Sequence, residues 1–231
     1  MTEILFSIGA GDKIVGVTTF CTFPPEAKEI TKVGDFSHPS IERIIGLNPD
    51  LVIVNLPEQS RVKKELDKLK VKTFVSSPAS LSELYSELAA LGTELGQRRA
   101  ADSLISYMKQ NLQAVTPAER RRVYIEISPR PLITIGSATF LNDLIHDAGG
   151  VNIFTDLSKD YPVVTQEAVI ARNPEVIIVL HPLDITGRVG WQSIHAIKNG
   201  NIYGNLDPDQ LMRPGPRLVD GFRKLREILN D

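Results

Sequence analysis

Short apolar runs rich in β-branched residues alternate along this chain with longer stretches in which apolar residues recur at helical spacing. The strand-like runs fall at 51–54, 71–75, 123–127 and 175–180. The first of them is continuously apolar, as expected of a parallel strand that is covered on both faces. Because helical stretches separate the runs, the pattern favours an α/β fold with parallel sheets.

The same order of residues occurs twice in the chain. Ser40-Ile41-Glu42 is followed after six residues by Pro49 and a strand-like run, and Thr165-Gln166-Glu167 is followed at the same spacing by Pro174 and another. Repeats in a fixed order indicate a duplicated unit. We therefore predict two similar three-layer α/β lobes joined by one long interdomain helix.

The connection between the two halves is predicted to be helical. Apolar residues recur at helical spacing through 98–115, and at about 1.5 Å per residue this stretch reaches about 27 Å. The predicted organisation is an N-terminal lobe over 1–96, a connecting helix over 97–116 and a C-terminal lobe over 117–231. Two lobes joined by one connector leave a cleft, and such clefts are where small ligands usually bind.

Composition and net charge limit the kinds of molecule that this protein is expected to bind. Hydrophobic residues make up 42% and charged residues 23%, as in an ordinary globular protein. A net charge of -2 with 26 basic residues gives no positive field that would hold nucleic acid. The single Cys21 cannot form an internal disulfide, which leaves the redox compartment open. No run approaches the roughly 20 apolar residues that span a bilayer, and no export signal is recognisable.

Catalytic motifs are scarce in this sequence. Gly9-Ala10-Gly11 lacks the third glycine and the preceding strand of a dinucleotide-binding fingerprint. The sequence also has no phosphate-binding loop, no nucleophile elbow and no pair of histidines at metal-ligand spacing. Of the four histidines, His146 and His195 are predicted to be surface residues of helices, and His181 to be a solvated loop residue. The sequence therefore predicts no catalytic residues and no metal site.

Two loops at matched places in the repeat are candidates for ligand contact. Phe36 and His38 lie just before the helix that Ser40 caps, at the edge where parallel-sheet proteins place their ligands. Tyr161 holds the matching place before the second capped helix. An exposed loop with Phe36 packed locally is an equally good interpretation. The favourable interaction of the Glu42 carboxylate with the helix dipole is enough to explain a glutamate at this position.

Motifs spread in order over essentially the whole chain resemble the substrate-binding proteins of cobalamin-type ABC importers, a group of class III periplasmic binding proteins. Relatives in this class bind cobalamin, haem or ferric siderophores between two lobes and dock both lobes on a permease dimer. The residues that carry the resemblance are Thr2–Phe6 with Gly9–Gly11, Pro24-Pro25, Lys32–Gly34, Glu42 with Pro49–Val52, Pro174, Asn199–Tyr203 and Arg213–Arg217.

The resemblance implies a substrate-binding component of an ABC importer that captures cobalamin or a related corrinoid, with haem or a ferric siderophore as the alternative. It implies no resident cofactor, a permease and its ATPase as partners, and a monomer. The implied ligand-contacting residues are Phe36, Ser37, His38, Asn55, Ser128, Tyr161, Trp191 and Leu211. Asn55 stands where the family has a tryptophan.

The resemblance also implies two carboxylates that dock on the permease. Glu42 matches the N-lobe glutamate of the family. Its C-lobe counterpart would fall at Met212, which is not acidic, so Asp209 or Asp207 is expected to substitute.

The family pattern places one further strand before Met1 and an export signal before that strand. We therefore expect the full-length protein to be periplasmic, or extracellular and membrane-attached. Two alternatives stay open: a cytosolic chelatase-like enzyme that uses His38 with Glu42, and a degenerate copy that keeps the fold without transport.

Overall fold

The structure of this chain is a computed structural model that describes residues 1–182, 185 and 187–230. The chain divides into two units, Met1–Met108 and Lys109–Asp231. Helices and parallel strands occur in both units, which confirms the predicted α/β fold class. Among the described residues, no helix is long and apolar enough to cross a membrane.

The first unit, all of whose residues are described, has a two-stranded parallel sheet surrounded by helices. Its elements in chain order are α1 (Thr2–Ser7), α2 (Ile41–Gly46), β1 (Val52–Val54), α3 (Ser60–Lys68), β2 (Thr73–Val75), α4 (Leu81–Glu94) and the larger part of α5 (Arg98–Asn111).

The sheet of the first unit brings two strand ends together. Strand β1 pairs with β2 from Val52 opposite Thr73 to Val54 opposite Val75. Val62 and Leu66 of α3, one helical turn apart, pack with Val54 in the core, as an amphipathic helix requires. Because the strands are parallel and in register, the residues that follow them lie at one edge of the sheet.

The second unit has a four-stranded parallel sheet within its described residues. Its elements are β3 (Arg121–Glu126), β4 (Ser128–Pro129), β5 (Leu132–Ile133), α6 (Phe140–Asp147), β6 (Gly150–Asn152), α7 (Gln166–Arg172), β7 (Val176–Val179), α8 (His195–Lys198), β8 (Ile202–Tyr203), α9 (Pro208–Met212) and α10 (Leu218–Asn230). The strand order is β6-β3-β7-β8, and β4 with β5 forms a separate antiparallel hairpin.

The core of the second unit lies against the two central strands. All four residues of β7 are buried, and a cluster around Tyr124, Phe154, Ile177 and Trp191 covers one side of the sheet. The last helix α10 turns Leu218, Phe222, Leu225 and Leu229, all buried, inward. Because both faces of these strands are covered, polar side chains are confined to the strand ends.

The sequence repeat builds the same local structure in both units. Ser40 accepts a hydrogen bond from the Arg43 backbone N–H at the start of α2, and Thr165 accepts one from the Ala168 N–H at the start of α7. After each helix an asparagine adopts the left-handed conformation, Asn48 with φ 47° and Asn173 with φ 45°. Asparagine tolerates this conformation better than most residues, so the repeat preserves a cap, a turn and a strand.

One predicted element differs in extent from the structure. Helix α5 ends at Asn111 rather than at residue 115, because the Val115 N–H donates to the carbonyl of Asp147. Outside the named strands, Val17 and Lys32 form one isolated parallel bridge. Residues 191–198 form two short helical turns, since Ile194 is extended between them. The boundary between the units falls inside α5, and a separate connecting domain over 97–116 stays a prediction.

We expect Gly136→Ala to destabilise the protein by about 1–3 kcal/mol, as overpacking does. A Cβ at Gly136 would overlap the backbone carbonyls of Lys159 and Leu157, and the Gly136 N–H donates to the carbonyl of Asp160 at 2.8 Å. Urea unfolding of the purified variant measures the change.

The matched control is Gly204→Ala, because a Cβ there meets no atom within 4 Å and should change the free energy of unfolding little. Equal stability of the Gly136 and Gly204 variants would contradict this close approach of the 157–160 segment.

Candidate functional site

In the first unit, polar residues join the carboxyl ends of β1 and β2. The Asn55 Nδ2 donates to the carbonyl of Ser76 at 2.7 Å, which links the two residues that follow the strands. Glu87 accepts from the Ser76 hydroxyl at 2.7 Å and from the Ser77 N–H at 3.0 Å. This edge is therefore a fixed, hydrogen-bonded platform at the place where α/β proteins bind ligands.

Gln59 links the loop that contains Phe36 to that platform through hydrogen bonds. Its side-chain oxygen accepts from the Asn55 N–H at 2.8 Å, and its Nε2 donates to the carbonyl of Phe36 at 2.7 Å. The Gln59 side chain is buried, so both hydrogen bonds are shielded from water. Two of the predicted ligand-contacting residues, Phe36 and Asn55, are thus brought together through a residue that the sequence did not single out.

The loop itself exposes the other predicted residues. The His38 N–H donates to Asp35 Oδ1 at 2.6 Å, which closes a tight turn. The His38 side chain is 83% exposed, and its Nδ1 lies 3.6 Å from Asp35. Phe36, Ser37 and His38 are all exposed, so each is accessible to a ligand at this edge.

Two further exposed aromatic residues lie in a segment that is hydrogen-bonded to this loop. The Thr19 N–H donates to the carbonyl of Gly34 at 2.9 Å, which places the segment after Thr19 beside the Phe36 loop. Phe20 and Phe23, which follow in that segment, are exposed although they are large and apolar. We name Phe20, Phe23 and Phe36 the aromatic face. The signal that could have revealed Phe20 and Phe23 is an aromatic pair just before Pro24-Pro25.

In the second unit, a buried charged cluster occupies the carboxyl end of β3. Glu126 is completely buried, and Arg188 donates to both of its carboxylate oxygens at 2.6 Å. The His181 Nε2 lies 2.7 Å from Glu126 Oε1, and the Tyr124 hydroxyl donates to Oε2 at 3.2 Å. We name these four residues the Glu126 cluster. Both carboxylate oxygens therefore have polar partners, as a buried polar group requires.

Aromatic rings surround the Glu126 cluster. The Arg188 guanidinium lies 4.6 Å from the centre of the Trp191 ring, close enough for a cation–π interaction. Tyr124 meets the rings of Phe154 and Trp191 edge-on, with centroids 6.1 Å away in both cases. Burial, and then the adjacent Glu126 charge, raise the pKa of Tyr124 far above its usual value. The tyrosine is therefore a neutral hydrogen-bond donor.

The histidine predictions have different outcomes. His146 and His195 are exposed on helices, as predicted. The interpretation of His181 as a solvated loop residue is wrong, because its side chain is 8% exposed and bonds the buried Glu126. The available signal was Glu126 directly after the run Val123–Ile125, since a carboxylate that is buried beside such a run needs partners.

Ser128 and Tyr161 lie on connected segments of the second unit. Ser128 pairs with Ile133 in the β4–β5 hairpin, and the Thr134 N–H donates to the carbonyl of Pro162 at 3.1 Å. Ser128 is half-buried and Tyr161 is exposed. The hairpin thus joins the segment of Tyr161 to the end of β3, and both predicted residues are accessible.

The burial of two predicted ligand-contacting residues contradicts their predicted role. Trp191 and Leu211 are completely buried. Trp191 lies beneath Arg188, and Leu211 of α9 packs against α10, where it lies close to Gly221. Neither side chain reaches a surface, so we remove both from the ligand-contacting set.

The two predicted docking carboxylates have different surroundings. Glu42 is exposed in the first turn of α2 and accepts from the Ser40 hydroxyl at 3.1 Å. Asp209 lies 2.7 Å from Arg213 Nε and 3.6 Å from Arg217 Nη2. Glu42 therefore presents its charge outward, whereas the charge of Asp209 is compensated within the chain. Permease docking by either residue stays a prediction.

The pair required by the chelatase alternative does not form. The His38 ring lies 3.6 Å from the Asp35 carboxylate, and Glu42 accepts from the Ser40 hydroxyl. Across residues 1–182, 185 and 187–230, no group of three or more histidine, cysteine, aspartate or glutamate residues could hold a metal ion.

Curated relatives are similar to nearly the whole chain. YvrC, an uncharacterized ABC transporter substrate-binding lipoprotein of Bacillus subtilis, is 34% identical over 243 residues, which cover 99% of this chain and 76% of the relative. A vitamin B12-binding protein of Vibrio cholerae is 31% identical over 243 residues, which cover 97% of this chain and 84% of the relative.

Solved structures agree with this fold. A possible iron-binding periplasmic protein of Staphylococcus epidermidis has a TM-score of 0.84 at 30% identity and covers 98% of this chain and 94% of its own. The vitamin B12-binding protein of Vibrio cholerae has a TM-score of 0.82 at 28% identity, with 98% and 92% covered. The heme-binding protein RhuT of Roseiflexus has a TM-score of 0.84 at 25% identity, with 98% and 93% covered.

The family profile described as periplasmic binding protein matches residues 1–208 of the chain. Its proteins bind and do not transform their substrates, which agrees with the sparse catalytic motifs of the sequence. The predicted resemblance is confirmed, and this chain belongs to the periplasmic binding protein family.

Proposed function

We propose that this chain is the substrate-binding component of an ABC importer and that its ligand is cobalamin or a related corrinoid. The observation that carries the proposal is the similarity to vitamin B12-binding proteins over 97% or more of the chain. The Bacillus subtilis relative, named as an ABC transporter substrate-binding lipoprotein, supports a permease and an ATPase as partners. The proposal also places the protein in the periplasm, or outside the cell and attached to the membrane, in agreement with the names of its family and of this relative.

The accessible residues suit a large, mostly apolar guest. The aromatic face presents Phe20, Phe23 and Phe36 to solvent, and aromatic rings bury much apolar area at little entropic cost. Ser37, Asn55, Ser128 and Tyr161 add a few polar groups. Ligand sites usually combine apolar walls with a small number of such anchors, and a corrinoid offers a broad ring edged with amides.

Haem is the second candidate, and two observations favour it. The heme-binding protein of Roseiflexus has the same fold. His38 and Tyr161 are exposed, and both residue types serve as axial ligands of haem iron. Titration with haemin separates the candidates, since coordination by either side chain shifts the Soret band.

Cyanocobalamin at about 100 times its dissociation constant should raise the melting temperature by about 5–10 °C, because it adds about 2.7 kcal/mol of stability. His38→Ala should keep most of this shift, since the His38 side chain is 83% exposed and its ring pairs with Asp35 of its own loop. Thermal scans with cyanocobalamin, haemin and a ferric siderophore in parallel measure the effect.

A response to haemin alone, lost in His38→Ala or Tyr161→Phe, would replace the corrinoid by haem. The absence of any shift with all three ligands would favour the degenerate copy that keeps the fold without transport.

Phe36→Ala should weaken cyanocobalamin binding about tenfold, as truncation of an aromatic anchor does. The ring is exposed in the free protein, so the stability of the unliganded variant should change little. Absorbance-monitored titration gives the dissociation constant.

Tyr107→Ala is the control for Phe36→Ala, because Tyr107 is an exposed aromatic residue of α5 in the same unit. Equal affinities of the Phe36 and Tyr107 variants would show that the Phe36 ring contributes nothing to binding.

Glu42→Arg should lower the stimulation of the importer ATPase in proteoliposomes by about tenfold or more, since a like charge against basic permease residues is strongly unfavourable. Its affinity for the ligand should stay that of the unmodified protein. Glu65→Arg, on the exposed side of α3, is the matched control. Loss of ligand affinity in Glu42→Arg, or full ATPase stimulation, would refute the docking role of Glu42.

A further inference from the structure

A buried ion pair is an unusual way to end a central strand. Glu126 is the last residue of β3, between β6 and β7 in the sheet, and it is completely buried. Removing charges from water is unfavourable, and buried ion pairs often stabilise no more than apolar residues of similar volume. The position of the partners along the chain suggests a purpose other than stability.

Two partners of Glu126, His181 and Arg188, belong to the stretch of chain that follows β7. His181 bonds one carboxylate oxygen, and the Arg188 fork bonds both. The Leu180 N–H also donates to the carbonyl of Glu126 at 2.9 Å. Glu126 is therefore hydrogen-bonded to three residues that follow β7, namely Leu180, His181 and Arg188, at the carboxyl edge of the sheet.

Arg188 is held on two sides. Its guanidinium pairs with Glu126 in the fork geometry that a carboxylate matches best, and it lies 4.6 Å from the ring centre of Trp191. The side chain of Arg188 is 17% exposed, whereas its neighbour Val189 is 90% exposed. Fixing Arg188 thus restrains the adjoining backbone, which carries an apolar residue that faces solvent.

We propose that Glu126 is a positioning residue for ligand binding: its buried carboxylate holds His181 and Arg188 at the carboxyl edge of the second sheet. This inference rests on the proposed function, because the edge is taken to contact the ligand. Glu126 itself does not touch the ligand. It acts through the fixed positions of its partners and of Val189.

The test compares Glu126→Gln with Glu175→Gln in the full chain. Glu175 is a matched control, since it accepts from the Arg122 N–H at 2.8 Å and lies 3.5 Å from Arg122 Nη1, at the amino ends of the same two strands. Glutamine keeps the size of the side chain but replaces one carboxylate oxygen, each of which contacts two partners at Glu126, by an NH2 group that cannot accept a hydrogen bond. Melting temperature, affinity for cyanocobalamin and the fluorescence of Trp191 are measured for both variants.

Trp191 reports on the cluster without any ligand, because it is the single tryptophan of the chain. Glu126→Gln should increase acrylamide quenching of Trp191, as Arg188 is released from above the ring, and Glu175→Gln should not. Affinity should fall about tenfold in Glu126→Gln, the range for residues that act on a site without touching it. The Glu175 variant should bind as the unmodified protein does.

Unchanged affinity in Glu126→Gln, or the same loss of affinity in both variants, would overturn the inference. Arg188→Lys serves if Glu126→Gln does not fold, because lysine keeps the positive charge but not the fork, and it should lose affinity in the same way. If the unmodified protein binds neither cyanocobalamin, haemin nor a ferric siderophore, the proposed function fails. The Trp191 comparison then decides by itself whether Glu126 positions this edge.

Discussion

Burial on both faces is the constraint from which the rest of this structure follows. Strand β7 has no exposed residue, and β3 becomes buried from Val123 onward. Such strands leave no room for polar side chains along their length, since each would lose its hydration without a partner. In the second unit, polar side chains therefore gather where the buried strands end. The first unit, whose strands are only partly buried, also has polar side chains at the carboxyl edge of its sheet.

The two units use different polar groups to connect the residues at that edge. In the first unit, neutral amides and backbone groups join the strand ends through Gln59 and Asn55. In the second unit, a buried carboxylate with a guanidinium and an imidazole does so. Amide hydrogen bonds require little desolvation of charge, whereas the ionic arrangement demands exact complementarity from every partner.

Much of the fold could be predicted from the sequence because its signals are local. Ser40 and Thr165 are helix caps in the structure as predicted, and the strand-like runs at 51–54 and 175–180 contain β1 and β7. Capping and apolar runs depend on a few neighbouring residues. The end of α5 was mispredicted because a hydrogen bond from Val115 to Asp147, distant in sequence, decides it.

The candidate site was less predictable, since burial depends on the whole unit. Trp191 is aromatic and lies near a strand end, as a ligand-contacting residue would, yet the core encloses it. His181 carried no sequence sign of its partner Glu126, 55 positions away. Phe36 and Asn55 were identified, but Gln59, which links them, has no distinguishing motif.

Because Gln59 is uncharged, the hydrogen bonds that it makes in the first unit should depend little on pH and salt concentration. An amide side chain does not titrate, and a shielded hydrogen bond between uncharged groups is little affected by dissolved ions. The link from Gln59 to the Phe36 carbonyl is thus one that acidification or a change in ionic strength leaves intact, whereas the turn within the loop closes on the Asp35 carboxylate. The position of the Phe36 carbonyl relative to Asn55 should therefore stay the same when the pH or the salt concentration around the protein changes.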